Sequence, residues 1–326
     1  GSMSRPFRSL AKAQQLLDAH PAGNIALLFR RGDTWREDVG IDTDRPHITI
    51  ADYGDGEKLI LTPFRPVDAP SWSPVPGVSS VYQRPELGAI TWVRDTLDVA
   101  RPMVRASSLA SVAAIERSWF WDQGSGTLYV HPEHVTGVAE DPRLALRSYE
   151  VVKPRYAGII VRGHGTRVEN IVAIGWGMWT TSPSQQHGIE ARNAAAAEVC
   201  IIDCESYYGS SHAMVFFNPS DYGGIATFVR CKAGFTSFNQ GGAETVFNAF
   251  TRGDAEIIFH QCDVPFGTLP DDRFNFATRN RARGFYAHAT TTRFRLIVSK
   301  DSTISGAELG AANPSHFDDV PSAANL

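Results

Sequence analysis

Histidines and acids recur at comparable places in the second half of this chain. His187 precedes Gly188-Ile189-Glu190-Ala191, His212 precedes Ala213-Met214-Val215-Phe216, and Glu244 precedes Thr245-Val246-Phe247-Asn248. Read as equivalent strands of stacked coils, these segments bring the three side chains onto one face, about 4.8 Å apart per coil. Alternation turns Ile189 and Ala191 inward, and Glu190 and Arg192 outward. Two histidines, two glutamates and an arginine on one surface can do acid–base work. Imidazole titrates near neutrality, and a neighbouring carboxylate can orient it or divide the roles with it. His212 is the central member, and the small residues of Tyr207-Tyr208-Gly209-Ser210-Ser211 before it leave room for a substrate. Arg192 or Lys232 would steady developing negative charge. The competing reading is a solvated polar ridge at turn positions. A one-residue slip of register would reverse every facing.

The loops beside that line carry Trp176, Trp179, Tyr207, Tyr208, Phe235 and Phe238. Sugar rings stack their C–H faces on aromatic rings, so Trp179, Tyr207 and Tyr208 are expected to be exposed in a glycan groove. Two reaction types fit. β-Elimination from a uronic acid asks for a base and a cation facing the carboxylate, for which Arg192, Lys232, Arg281 and Arg283 are available. Hydrolysis asks for two carboxylates about 5 to 10 Å apart, and Glu190, Glu205, Glu244, Asp203 and Asp263 are candidates.

The bulk numbers exclude several other classes. A formal net charge of −4 over 326 residues gives no electrostatic footprint for nucleic acid. No apolar run approaches the length of a membrane span. Hydrophobic residues make up 43%, enough for a substantial core. The four cysteines, Cys200, Cys204, Cys231 and Cys262, show no C-x-x-C spacing, so a zinc or redox motif is unsupported. There is no phosphate-cradling glycine loop and no G-x-S-x-G or H-E-x-x-H. Calcium is the one cofactor left open, by Asp52-Tyr53-Gly54-Asp55-Gly56 with Glu57 and by Asp271-Asp272. The first lacks the loop spacing of a calcium hand and reads first as a turn.

Repetition supplies the elements that would position these residues. From Gly158 the chain returns to an apolar strand at Gly158–Val161, Gly188–Ala191, Ala213–Phe216 and Thr245–Asn248, with Phe285–His288 a further candidate. Each is followed by a second apolar strand, containing Ile171–Ile174, Val199–Ile202, Ala226–Val229, Ile257–Phe259 and Leu296–Val298. Cys204, Cys231 and Cys262 close three of these second strands, spaced 27 residues (204 to 231) and 31 residues (231 to 262) apart. One solenoid turn of three short strands needs roughly that much chain. The cysteines are therefore expected to stack as a small apolar ladder, reduced and buried. Ahead of the repeats, Leu10, Ala13, Leu16 and Leu17 fall at helical spacing, and the helix should stop near Pro21-Ala22-Gly23.

The fold predicted is all-β: a single-stranded right-handed parallel β-helix of roughly eight to ten coils, with an N-terminal capping α-helix. Residues 1–8 are a tag remnant and disordered start, with Gly1-Ser2 a cloning remnant before Met3. The β-helix domain runs over 9–310, and 311–326 is a tail. Residues 72–147, rich in Trp, Tyr and Pro, read as an insertion or decorated coils. Within them, Trp119–Val130 forms a hairpin about a Gly-rich turn.

Phe29-Arg30-Arg31-Gly32-Asp33-Thr34-Trp35 and Ile48-Thr49-Ile50-Ala51-Asp52-Tyr53-Gly54-Asp55-Gly56, with Trp72 and Tyr82 beyond, resemble the opening of pectate-lyase-like β-helix proteins. Val199-Cys200-Ile201-Ile202-Asp203-Cys204-Glu205, followed by Tyr207-Tyr208-Gly209, resembles their recurring coil. The likeness covers about Leu10 to Ser305 and implies the fold. That superfamily contains polysaccharide lyases, glycoside hydrolases, sugar epimerases and phage tailspikes, and no motif here selects one catalytic family. A polysaccharide-degrading enzyme is the first expectation. A non-catalytic glycan-binding or tailspike-like structural protein is the alternative. Either would act outside the cell or on a virion, as a monomer or a homotrimer, with a polysaccharide as partner.

Overall fold

The computed structural model describes residues 7–20, 24–37, 39–86, 88–96, 103–134, 141–143, 149–152, 157–176, 187–192, 197–207, 212–218, 224–234, 245–251, 255–266, 283–289, 294–298, 303–304 and 308–311. For 152, 212, 218, 245–251, 255 and everything from 263 onward, only the backbone is described. The chain divides into two compact units, Gly1–Pro63 with Arg155–Thr268 and Phe276–Leu326, and Phe64–Pro154 with Leu269–Asn275.

The first unit is a three-faced stack of parallel strands. Sheet 1 contains Ile25–Arg30, Ile48–Tyr53, Thr166–Glu169, Glu198–Ile202, Gly224–Val229, Ala255–His260 and Phe294–Val298. Sheet 2 contains Thr34–Arg36, Leu59–Thr62, Ile171–Ile174, Glu205–Tyr207, Lys232–Gly234, Asp263–Phe266 and Thr303–Ile304. Sheet 3 contains Ile41–Thr43, Ile159–Val161, His187–Arg192, His212–Asn218, Thr245–Thr251, Arg283–Ala289 and Glu308–Ala311. The chain visits sheets 1, 2 and 3 in that order seven times, each visit pairing parallel to the one before. Seven coils are therefore described where eight to ten were expected, because Phe64–Pro154 folds as a separate unit.

The strand equivalences also need one correction. Ile171–Ile174 belongs to sheet 2, level with Glu205–Tyr207, and the true counterpart of Glu198–Ile202 is Thr166–Glu169. The polar sequence Thr-Arg-Val-Glu hides that strand, since only Thr166 and Val168 are buried.

Inward positions build the core, coil on coil: Ile50, Val168, Ile201, Phe228 and Phe259 from sheet 1, and Ile159, Ile189 and Met214 from sheet 3. Phe228 and Phe259 stack with centroids 5.0 Å apart. At the corner from sheet 1 to sheet 2, Asn170, Asp203, Arg230 and Gln261 all have positive φ, 50° to 58°. That left-handed residue turns the chain, and the next residue enters the core. In four successive coils it is Ile171, Cys204, Cys231 and Cys262, each fully buried. The three thiols lie 3.3 to 3.5 Å from the carbonyls of Val168, Ile201 and Phe228, one coil earlier. None of the four cysteines is in a disulfide.

The helix Leu10–Ala19 begins at Ser9, whose side chain accepts from the Lys12 N–H, and it buries Leu10, Ala13 and Leu17. Phe7 packs against the same core. Gln14 performs a second task. Its Oε1 accepts from the Asp42 N–H (2.9 Å) and its Nε2 donates to the Asp42 carbonyl (2.6 Å), so a side-chain amide replaces a strand at the edge of sheet 3.

The second unit is built mainly from antiparallel pairs, with Val104–Arg105 parallel to Ser118–Trp119. Ser118–Asp122 pairs with Thr127–His131 as the hairpin expected, its turn held by Asp122 accepting from the Gly124 N–H and the Ser125 hydroxyl. Trp72, Val93, Trp119, Leu128, Val130 and Tyr149 form its core.

Candidate functional site

The outer side of sheet 3 carries the polar cluster. Asp42, Ile160 and Glu190 occupy one register row on three adjacent strands, followed by Val215, Asn248 and Tyr286. Their neighbours Ile159, Val161, Ile189 and Ala191 belong to the core, so this row faces away from it. Glu190 is nevertheless 0% exposed. Its Oε1 accepts from Arg192 Nε at 2.5 Å, and His187 Nε2 lies 4.0 Å from Oε2. Oε2 itself and Arg192 Nη2 have no hydrogen-bond partner among the described residues. The Arg192 guanidinium sits 5.0 Å from the centroid of the Phe217 ring.

Burial pushes the Glu190 carboxyl above the usual carboxylate range, and Arg192 and Arg162 only partly offset this. The result is a carboxyl that tends to keep its proton. Asp42 is its opposite in environment. Its side chain is 48% exposed and forms a two-point ion pair with Arg162, Nη2 to Oδ2 at 2.9 Å. Two strand steps along that row separate Asp42 from Glu190, about 9.6 Å of backbone.

The expected line of His187, His212 and Glu244 changes in two ways. His187 and His212 are register partners. The pairing of Met214 with Phe247 then brings Thr245 level with His212, so that place falls to Thr245. Glu244 lies outside the described residues. His187 is 2% exposed, not open to solvent, because it is enclosed with Glu190. Of His212 only the backbone is placed, and Arg283 stands level with Thr245.

Lys232 and Tyr207 belong elsewhere. Both are on sheet 2, where Lys232 pairs in register with Glu205, so neither shares the face of Glu190. Tyr207 is half-buried and donates its hydroxyl to Glu205 Oε2 at 2.9 Å. Burial acts to raise Glu205, but Lys58 Nζ at 2.8 Å and the Tyr207 hydroxyl outweigh it and hold the carboxyl below its ordinary range. Trp179 and Tyr208 fall outside the described residues, and Trp176 is buried. Asp52 is engaged by Arg31 at 2.8 Å, and Asp271-Asp272 are outside the described set. Among the described residues no three His, Cys, Asp or Glu side chains group to hold a metal, and no helix is long and apolar enough to cross a membrane.

Sequence reasoning missed Asp42 and Arg162. The signal was present: Gly40-Ile41-Asp42 repeats Gly188-Ile189-Glu190, and Gly158-Ile159-Ile160-Val161-Arg162 repeats Gly188-Ile189-Glu190-Ala191-Arg192. The glycines stack because the coils touch there. A Cβ on Gly158 would lie 2.8 Å from the Gly188 carbonyl, and one on Gly188 would lie 1.9 Å from Ser206 Oγ.

No family model and no curated protein matches the chain. Solved structures do. The complex of XylC with xylose aligns at a TM-score of 0.53 and 10% identity, over 91% of this chain and 62% of that one. The chain thus spans under two thirds of that protein. A structure described as a glycoside hydrolase aligns at 0.53 and 9%, over 97% of this chain and 88% of that one. The tailspike protein gp49 from Pseudomonas phage LKA1 reaches only 0.18 at 11% identity, too low to read a shared fold. The two stronger likenesses are likenesses of fold, and they agree with the resemblance seen in the sequence.

Proposed function

We propose that this chain is a carbohydrate-active solenoid that hydrolyses a glycan at the outer side of sheet 3, with Glu190 as proton donor and Asp42 as the second carboxylate. The observation that carries this reading is the Glu190 carboxyl, inclined by burial to stay protonated, with Oε2 given no hydrogen-bond partner among the described residues. A general acid needs that state near neutral pH. A separation of roughly 6.5 to 9.5 Å between the carboxyls is the arrangement of an inverting glycosidase, which leaves room for a water. The two backbones stand about 9.6 Å apart along one row, at the upper edge of that range.

In this mechanism Glu190 Oε2 gives its proton to the glycosidic oxygen as the bond to the anomeric carbon breaks. Asp42 draws a proton from the water that attacks from the opposite side, and Arg162 holds that carboxylate in place. The protons balance: one passes from Glu190 to the leaving alcohol, one from water to Asp42. Full burial of Glu190 means that a sugar reaches Oε2 only by replacing the groups that cover it. The two fold neighbours, one a complex with xylose and the other described as a glycoside hydrolase, support a carbohydrate ligand. The coils are proposed to wind right-handed, as crossovers between parallel strands nearly always do, and an extracellular or virion-associated protein fits this role.

The second reading is a non-catalytic glycan-binding or tailspike-like protein in which Glu190, Arg192 and His187 staple a corner. The absence of exposure at Glu190 favours it. Incubation with a panel of neutral and acidic polysaccharides separates them. New reducing ends, lost in both Glu190→Gln and Asp42→Asn, support hydrolysis. Unsaturated uronate, seen by its ultraviolet absorbance, marks a lyase instead. Binding without either product leaves the second reading.

A further inference from the structure

Sheet 1 turns an unusual outer face to water. Across three adjacent coils six of its nine outward positions are Cys200, Ile202, Ile225, Thr227, Val229 and Ile258, all partly exposed, with Ile225 at 39%; Glu198, Glu256 and His260 stand at the corners of this set. Outward positions on a solvated sheet face are ordinarily polar. A contiguous set of small and β-branched side chains instead marks an interaction surface.

The register identifies what fits it. One outward row runs Glu169, Ile202, Val229, His260, each the register partner of the next. Read from either end, the row is an ionisable group, two aliphatic groups and an ionisable group, with the acid and the imidazole at opposite ends. A second copy, turned about an axis parallel to the strands, places Ile202 on Val229 and brings Glu169, which accepts from Arg167 Nε at 2.6 Å, to His260, twice over; the third row sets Glu198 beside Ile225. The parallel row Arg167, Cys200, Thr227, Ile258 then sets Cys200 against Thr227, both small. It lays the aliphatic stem of Arg167 along Ile258. Such side chains let two sheets approach to the usual face-to-face spacing of about 10 Å.

We propose that the outer face of sheet 1 is the contact surface of a homodimer, two copies packed face to face about a two-fold axis between Ile202 and Val229. A closed two-fold interface uses the same patch on both subunits, as this row requires. The surface is separate from the Glu190 face and does not depend on the enzymatic reading.

Sedimentation over a wide range of protein concentration tests it. The expected result is a concentration-dependent dimer that Val229→Asp weakens by at least ~10-fold, as loss of a central contact does. At concentrations where parent and variant are both monomeric, melting temperatures should match, because Val229 is already partly exposed in the single chain. Leu28→Asp, at 49% exposure on the first coil, lies on the same row but two coils before Glu169 and so outside the four coils that carry the contact; it is the control and should leave the dimer intact. Glu169→Lys should weaken the dimer, and adding His260→Glu should restore it. Cys200 should react with a thiol reagent more slowly as protein concentration rises. A chain that is monomeric at every concentration overturns the proposal. A dimer or trimer indifferent to both Val229→Asp and Ile202→Asp overturns it equally, since the contact would then lie elsewhere.

Discussion

Trp176 Nε1 donates to the carbonyl oxygen of Leu61 at 2.9 Å, joining residues 115 positions apart in the sequence. Leu61 and Ala173 are register partners on adjacent coils. The indole therefore secures the contact between the last strand before residues 64–154 and the coil that follows them. Both residues are fully buried or nearly so. Trp176→Phe keeps most of the volume and removes this one hydrogen bond, at a cost of about 0.5–1.5 kcal/mol. Trp176→Ala adds a cavity and should cost about 3–5 kcal/mol. Urea unfolding of the two variants measures both, and a Trp176→Phe variant as stable as the parent would show that the hydrogen bond contributes nothing.

Gly188 allows coils to touch beside the polar cluster. A Cβ there meets Ser206 Oγ at 1.9 Å and the Ala213 carbonyl at 2.9 Å, while Ser206 Oγ donates to that carbonyl. Gly188→Ala is expected to cost about 1–3 kcal/mol through overpacking. Ser206→Ala added to it should recover part of the loss, because the nearest clash is then removed. A double variant no more stable than Gly188→Ala alone would place the strain at the backbone of Ala213.

The buried thiols should behave as core groups. Burial raises Cys204 from 9.0 to about 12 and Cys231 well above its usual value. The folded state therefore resists ionisation that the unfolded chain accepts. Stability from these thiols is complete below pH 9 and falls as pH rises from 9.0 toward about 12. In the native protein a thiol reagent should label Cys200, which is half-buried, and leave Cys204, Cys231 and Cys262 until unfolding. Rapid labelling of all four would show that the ladder opens locally.

Much of this fold was legible because a solenoid writes its period into the sequence. Cys204, Cys231 and Cys262 marked one corner of successive coils. What stayed hidden there was the cause, a left-handed residue in front of each. Sheet 2 was nearly invisible, since strands such as Glu205–Tyr207 and Lys232–Gly234 are three residues long and carry charge outward. Such segments read as loops until their neighbours are known. The cluster was half legible. Glu190 and Arg192 followed from alternation, whereas Asp42 sits 148 positions before Glu190, on the far side of residues 64–154. Lys232 and Tyr207 were grouped with them because a linear sequence cannot distinguish sheet 2 from sheet 3.

Glu190→Gln separates a catalytic acid from a structural one. In the wild-type protein burial raises this carboxyl in the folded state, so the native chain holds a proton that the unfolded chain releases. Stability associated with it is complete below the ordinary carboxylate range and is lost as pH rises through the raised native value. Glutamine cannot ionise, so the variant should lack this component of the decline and gain on the parent as pH increases. It should also lose at least ~100-fold in hydrolysis rate, the usual contribution of a positioned acid. The two effects point in opposite directions, which makes misfolding an inadequate explanation for lost activity. Thermal melts across pH, paired with reducing-end assays on the same samples, test both. Full activity with the stability gain intact would leave Glu190 as part of a buried staple with Arg192 and His187. A pH dependence of stability unchanged from the parent would show that Glu190 is ionised in the native protein and cannot be the proton donor.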